Sequence, residues 1–102
     1  MDHSFQIVTI IGELVEIGEL YELTPGRKAQ RVIVKVSYND TRVKTDYFGI
    51  FIYGHDIEAF WSNYDQQHKP HSLQIEAKLN GRMKDNRNTL TLTYKKIRWI
   101  YD

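Results

Sequence analysis

The sequence predicts an all-β fold, a five-stranded barrel with one short helix between the third and fourth strands. Five stretches alternate side-chain character at period two, as strands require. One stretch alone, "GHDIEAFWSNY", switches to helical spacing. The resulting order, β-β-β-α-β-β, suits a closed sheet that hides its edges while the helix plugs one end. An open sheet covered by one helix fits the same order. The glycine at position 12 and the alternation of small and large inward residues favour closure.

The first strand is read over "FQIVTIIGELVEI", with Val8, Ile10, Gly12 and Leu14 opposed to Ile7, Thr9, Ile11 and Glu13. Gly12 predicts a bulge or sharp bend there. In "LTPGRKAQ", Pro25 presets φ and Gly26 accepts a positive φ, a turn signal. "RVIVKVSY" is the second strand, with Val32, Val34 and Val36 inward and Ile33, Lys35 and Ser37 outward. After the polar connection "NDTRVK" comes the third strand, "TDYFGIFIYG". In the helix Ile57, Phe60, Trp61 and Tyr64 fall at i, i+3, i+4 and i+7, with Asp56 and Glu58 in the first turn, where the helix dipole favours acids. His55-Asp56 reads as capping and Trp61 as core. "SLQIEAKL" is the fourth strand, "NGRMKDNRN" a hairpin loop, and "TLTLTYKKIRWI" the fifth strand.

The 102 residues suit one domain, with no linker or low-complexity run dividing them. Apolar runs are too short to span a membrane, and "MDHSFQ" lacks the layout of a secretory signal. The absence of cysteine removes disulfides, thiolate nucleophiles and cysteine-based zinc sites, and a cytoplasmic location is expected. Net charge is only +1, but residues 1–26 hold five acids and no Lys or Arg, whereas residues 27–102 hold 14 basic residues against eight acids. That asymmetry points to a polyanion for one surface, or to glutamates that merely solubilise the first strand.

The third strand has no polar face between Tyr47 and Tyr53. If Phe48, Ile50 and Ile52 fill the barrel, then Tyr47, Phe51 and Tyr53 point outward. Exposed aromatics on a rigid strand suit unpaired nucleobases, each of which presents a π-face. Gly49 among them would let a sugar or base approach the backbone. A plainer alternative is that this face packs against the helix or another subunit.

In these motifs the chain resembles the bacterial single-stranded DNA-binding protein family, an OB-fold. "VTIIGEL" resembles the family's opening strand, "TDYFGIFIYG" its third strand, "SLQIEAKLNGRM" its fourth strand and basic loop, and "KKIRWI" the end of its closing strand. The resemblance places Tyr47 and Tyr53 where the family stacks aromatics on bases. The family's aromatic after strand four is replaced here by Met83 and Lys84, and the sequence stops at "RWIYD" without the family's acidic tail. A short, tail-less member is therefore implied, closer to primosomal, plasmid or phage relatives. The resemblance also implies homodimers or homotetramers formed through the first strand. Glu13, Glu16, Glu19 and Glu22 oppose pairing of that strand with its own copy unless they clear the contact.

Basic residues recur where an OB-fold groove needs them: Arg27, Lys28 and Arg31 after the first turn, Arg42 and Lys44 between strands two and three, and Arg82, Lys84 and Arg87 in the last hairpin. Lys35 and Lys78 face outward from strands. Such cations neutralise phosphates without reading sequence. The expected function is non-catalytic binding of single-stranded DNA in replication, recombination or mobile-element maintenance, with RNA a further possible ligand because stacking tolerates either sugar. The alternative is an OB-fold protein-interaction subunit of a primosome-like or other replication complex. No nucleophile–base pair, paired-carboxylate pattern or phosphate-cradling loop is present, so no enzyme is expected. No cofactor or metal is expected either, since His68 and His71 lack a third nearby ligand. The sequence leaves the roles of Trp99 and Tyr101 open between a subunit contact and an extended stacking surface.

Overall fold

A computed structural model describes residues 6–38 and 44–101. Six strands and one helix follow in order: β1 (Gln6–Ile17), β2 (Tyr21–Thr24), β3 (Arg27–Tyr38), β4 (Lys44–Tyr53), α1 (Asp56–Trp61), β5 (Ser72–Lys84) and β6 (Arg87–Ile100). Five of the strands close a ring, in the order β1-β5-β6-β4-β3 and back to β1, with β2 appended outside β3. All pairings are antiparallel except β4 with β6. This is the expected OB-fold barrel, with the helix between the strands foreseen as third and fourth.

Closure depends on β1 serving two neighbours. Its first half pairs with β5 as far as Gly12↔Leu73, and from Glu13↔Lys35 onward it pairs with β3. At that corner a side chain on residue 12 would collide with the Lys35 carbonyl oxygen, so only glycine fits. The bend is where it was expected; the bulge lies just beyond, between Leu14 and Glu16. A second bulge, opposite Glu76 and Ala77, makes Lys95 an extra residue on β6. It switches the inward set from Leu92 and Tyr94 to Ile97 and Trp99.

The barrel is filled from every wall: Ile10, Val32, Val34, Ile50, Ile52, Leu73, Ile75, Ala77, Leu92 and Tyr94 are buried, and each large aliphatic side chain contributes about 1.5–3 kcal/mol. Phe60 of α1 plugs one end, fully buried, with edge-on ring contacts at 4.7 Å to Trp61, 5.6 Å to Tyr94 and 5.2 Å to Trp99. The Trp99 indole N–H donates to the Phe60 carbonyl at 3.1 Å, which assigns Trp99 to the core. Trp61 packs against the core, and its indole N–H donates to Gln30 Oε1 at 3.0 Å. The Tyr101 hydroxyl donates to the Asn63 carbonyl (2.7 Å) and accepts from the Asp65 amide (2.8 Å), tying the loop after α1 to the residue that follows β6. Backbone amides of Gln67 and His68 hold the Asp65 carboxyl below its ordinary range.

Three local readings are corrected. β2 was not foreseen: all four of its residues are exposed, so no buried face imprints alternation on "YELT". The stretch read as a hairpin loop, residues 80–88, is mostly strand; β5 and β6 run out as a long arm, and only Asp85 and Asn86 turn. Both have positive φ, 52° and 63°, as a two-residue hairpin turn requires. His55 occupies the N-cap of α1 but makes no side-chain capping bond. The turn at Pro25-Gly26 stands as read, with Gly26 at φ 82°.

Candidate functional site

β3 and β4 pair over ten residues, from Ala29↔Tyr53 to Tyr38↔Lys44. Directly opposed residues share a face, so the outer side of this wall carries the rungs Ala29–Tyr53, Arg31–Phe51, Ile33–Gly49 and Lys35–Tyr47. The inner side carries Ile50 and Ile52, both fully buried, with Phe48 packed partly against them. Tyr47 is 63% exposed and Tyr53 36%. The ring contacts that Phe60 of the helix makes with the barrel go to Tyr94 and Trp99 in the core. Phe51 and Tyr53 are parallel, 13° apart, with centroids separated by 6.2 Å. From Tyr47 to Tyr53 the row runs roughly 20 Å at the usual strand rise of about 3.3 Å per residue.

A third phenol joins the row. Tyr21 of β2 pairs with Ala29, so Tyr21, Ala29 and Tyr53 form one rung across three strands, with Tyr21 41% exposed. Ala29 is fully buried yet stands apart from the core cluster, a small residue between two phenols. Reading the sequence missed Tyr21 because β2 itself was missed. A usable signal was present: Tyr21 and the turn at 25–26 sit at hairpin distance from Ala29.

The cations divide. By alternation from Arg31, Arg27 and Lys35 share the outer face with the phenols. Lys28 does not: it alternates to the other side and lines a cleft with Gly54, His55 and Glu58. Lys44 likewise alternates away from Tyr47, to the side of Asp46 and Phe48. Lys78 lies on the outer wall of β5, opposite Thr93, which in turn pairs with Phe51, so it stands two strands round the barrel from the aromatic row. Along the arm, Arg82 opposes Thr89 and Lys84 opposes Arg87, continuing that outer side. Arg82, Lys84 and Arg87 are thus strand residues rather than loop residues, and Lys78 faces outward from its strand as read. Arg42 lies outside the described residues. Met83 and Leu90 occupy the arm's other side, 72% and 61% exposed.

β4 and β6 pair only at Ile50↔Leu92 and Phe51↔Thr93, after which the arm diverges. The gap leaves a groove of about 680 Å³ between Tyr47, Gly49 and Phe51 on one bank and Leu90 and Thr91 on the other, with Leu79 in its floor. A long surface therefore joins ring faces, an apolar groove and cations. The acidic first segment is only partly separate from it: Glu13 stands opposite Lys35, whereas Glu22 stands opposite Lys28, off that surface. Among the described residues no three acidic or histidine side chains converge as a metal site. No helix among them is long and apolar enough to cross a membrane.

No protein-family profile matches the sequence, and no curated protein is similar to it at the sequence level. Among solved structures the chain is similar to the mitochondrial single-stranded DNA-binding protein Rim1 of S. cerevisiae. One crystal form superposes with a TM-score of 0.74 at 16% identity, covering 98% of this chain and 98% of Rim1. Another gives 0.73 at 14% identity, over 97% and 99%. A selenomethionine-labelled crystal gives 0.69 at 18% identity, over 97% and 98%. At such identities the likeness establishes one thing, an OB fold that the two chains share along nearly their entire lengths.

Proposed function

We propose that this chain is a non-catalytic single-stranded DNA-binding protein. The observation that carries the proposal is the outer wall of β2, β3 and β4, where the exposed rings of Tyr21, Tyr47 and Tyr53 and the half-buried Phe51 share one face with Arg27, Arg31 and Lys35. Bases stack on the rings at about 1–3 kcal/mol each, and the cations, with Arg82, Lys84 and Arg87 of the arm, neutralise phosphates. Duplex DNA has no free base faces to offer such a wall. The architectural likeness to Rim1, a protein described as binding single-stranded DNA, supports the same reading. Replication, recombination or maintenance of a mobile element are the settings in which such a protein acts.

Fluorescence anisotropy with labelled oligo-dT, an RNA of equal length and a duplex, each titrated across a salt series, tests the proposal. Tight, salt-sensitive binding of single strands over duplex is the expected result. Equal affinity for duplex and single strand removes the stacking mechanism. The RNA arm decides the sugar preference. We also propose self-association, because Ile7 and Ile11 leave 44% and 59% of their surface exposed on the outer side of β1; light scattering after gel filtration measures the stoichiometry.

A further inference from the structure

The space over Gly49 is already occupied. Arg31 opposes Phe51 in register, but its side chain leans back one rung and lays its guanidinium over Gly49. A Cβ on residue 49 would stand 2.7 Å from Nε and 2.8 Å from Cζ of Arg31, and would collide with Nη2. The guanidinium carbon is also 5.9 Å from the centre of the Phe51 ring, within cation–π range. So the gap is filled from within the fold, not kept open for a sugar or base.

Two features make this arrangement more than packing. Arg31 is exposed, and the one ion pair among the described residues joins Asp65 to His68, so no carboxylate among them engages the guanidinium. Its donors are free for an incoming acceptor. It also sits in the middle of the aromatic row, with Tyr47 on one side and the parallel Phe51–Tyr53 pair on the other.

We infer that Gly49 is a positioning residue: its missing side chain seats Arg31 between the stacking rings, where the guanidinium binds the phosphodiester of a single strand crossing the wall. The inference rests on the nucleic-acid reading above and adds a partner atom and a reason for the glycine. The clash at residue 49 involves only the far end of a flexible side chain. Alanine there displaces the arginine and leaves the barrel intact.

The test compares wild type, Gly49→Ala, Arg31→Ala and the double variant, each binding labelled oligo-dT over a salt series, with thermal unfolding alongside. Gly49→Ala and Arg31→Ala are each expected to weaken binding about tenfold at low salt, the scale of one charge-assisted hydrogen bond. Each is expected to flatten the plot of log affinity against log salt by about 0.7, the loss of one phosphate neutralised on a single strand. The double variant is expected to bind no worse than Arg31→Ala, with all melting temperatures close to wild type. Wild-type affinity and slope in Gly49→Ala, additive losses in the double variant, or a lowered melting temperature for Gly49→Ala overturn the seat. If wild type binds and Tyr47→Ala weakens it, that failure belongs to the seat alone. If wild type shows no binding, the function and the seat fall together.

Discussion

Lys35 and Tyr47 are direct cross-strand partners on β3 and β4, so the most exposed phenol of the wall shares its rung with a cation. A base lying on Tyr47 would bring its own phosphate within reach of Lys35. Stacking and charge would then be met by one nucleotide at one rung.

Stacking gives the first expectation. Tyr47→Ala and Tyr53→Ala each weaken oligo-dT binding by about 1–3 kcal/mol, with the slope of the salt dependence nearly unchanged, because a ring neutralises no phosphate. Anisotropy at fixed salt and across a salt series separates the two quantities. Unaltered affinity in both variants ends the stacking mechanism.

Tyr21 extends the row sideways, on the rung of Tyr53 but two strands across, and its effect depends on ligand length. Tyr21→Ala is expected to weaken long oligonucleotides by a similar ~1–3 kcal/mol while leaving unaffected those too short to pass Tyr53. A length series read by anisotropy checks this. Equal loss at every length means that Tyr21 acts through the fold instead.

Sidedness separates the lysines. Lys35→Ala is expected to flatten the salt dependence by about 0.7 for each phosphate left without its cation. Lys44→Ala and Lys28→Ala, whose side chains alternate to the other side, leave it near wild type. If all three behave alike, binding follows net charge and not this surface.

Tyr94 carries a pH expectation. Burial, and then the negative charge of Asp56, raises its phenol above the ordinary value of 10.0. A raised folded value favours the neutral phenol in the native state. That stability is complete below the unfolded value and is lost as pH rises through the folded one. Urea unfolding at neutral pH and above pH 10 should show a loss in wild type that Tyr94→Phe lacks; equal losses in both would exclude Tyr94 as the cause.

The barrel plug makes the last expectation. Phe60 is fully buried and touches Trp61, Tyr94 and Trp99, so Phe60→Ala costs about 3–5 kcal/mol of stability, read by denaturant unfolding. A cost near zero would place the helix outside the cooperative core.

The sequence alone determined the all-β order with its one helix and the two faces of β4, and it favoured closure that the pairing of β1 with β3 then decided. Wherever a strand has one side in the core, burial writes itself into the chain at period two, and Ile50 and Ile52 against Tyr47 and Tyr53 is such a record. Where no side is buried, nothing is written. β2 and the outer half of the β5–β6 arm are exposed on both faces, so they read as loop, and Tyr21 and the sidedness of Arg82, Lys84 and Arg87 went unseen. Tertiary structure also decided what lies across from what. Register set Lys35 beside Tyr47 and left room for Arg31 over Gly49, while strands that begin earlier than foreseen, at Arg27 and Lys44, carried Lys28 and Lys44 to the other side by alternation. Alternation is a property of one strand, whereas a binding surface is built across several, and only closure of the sheet brings those strands into register.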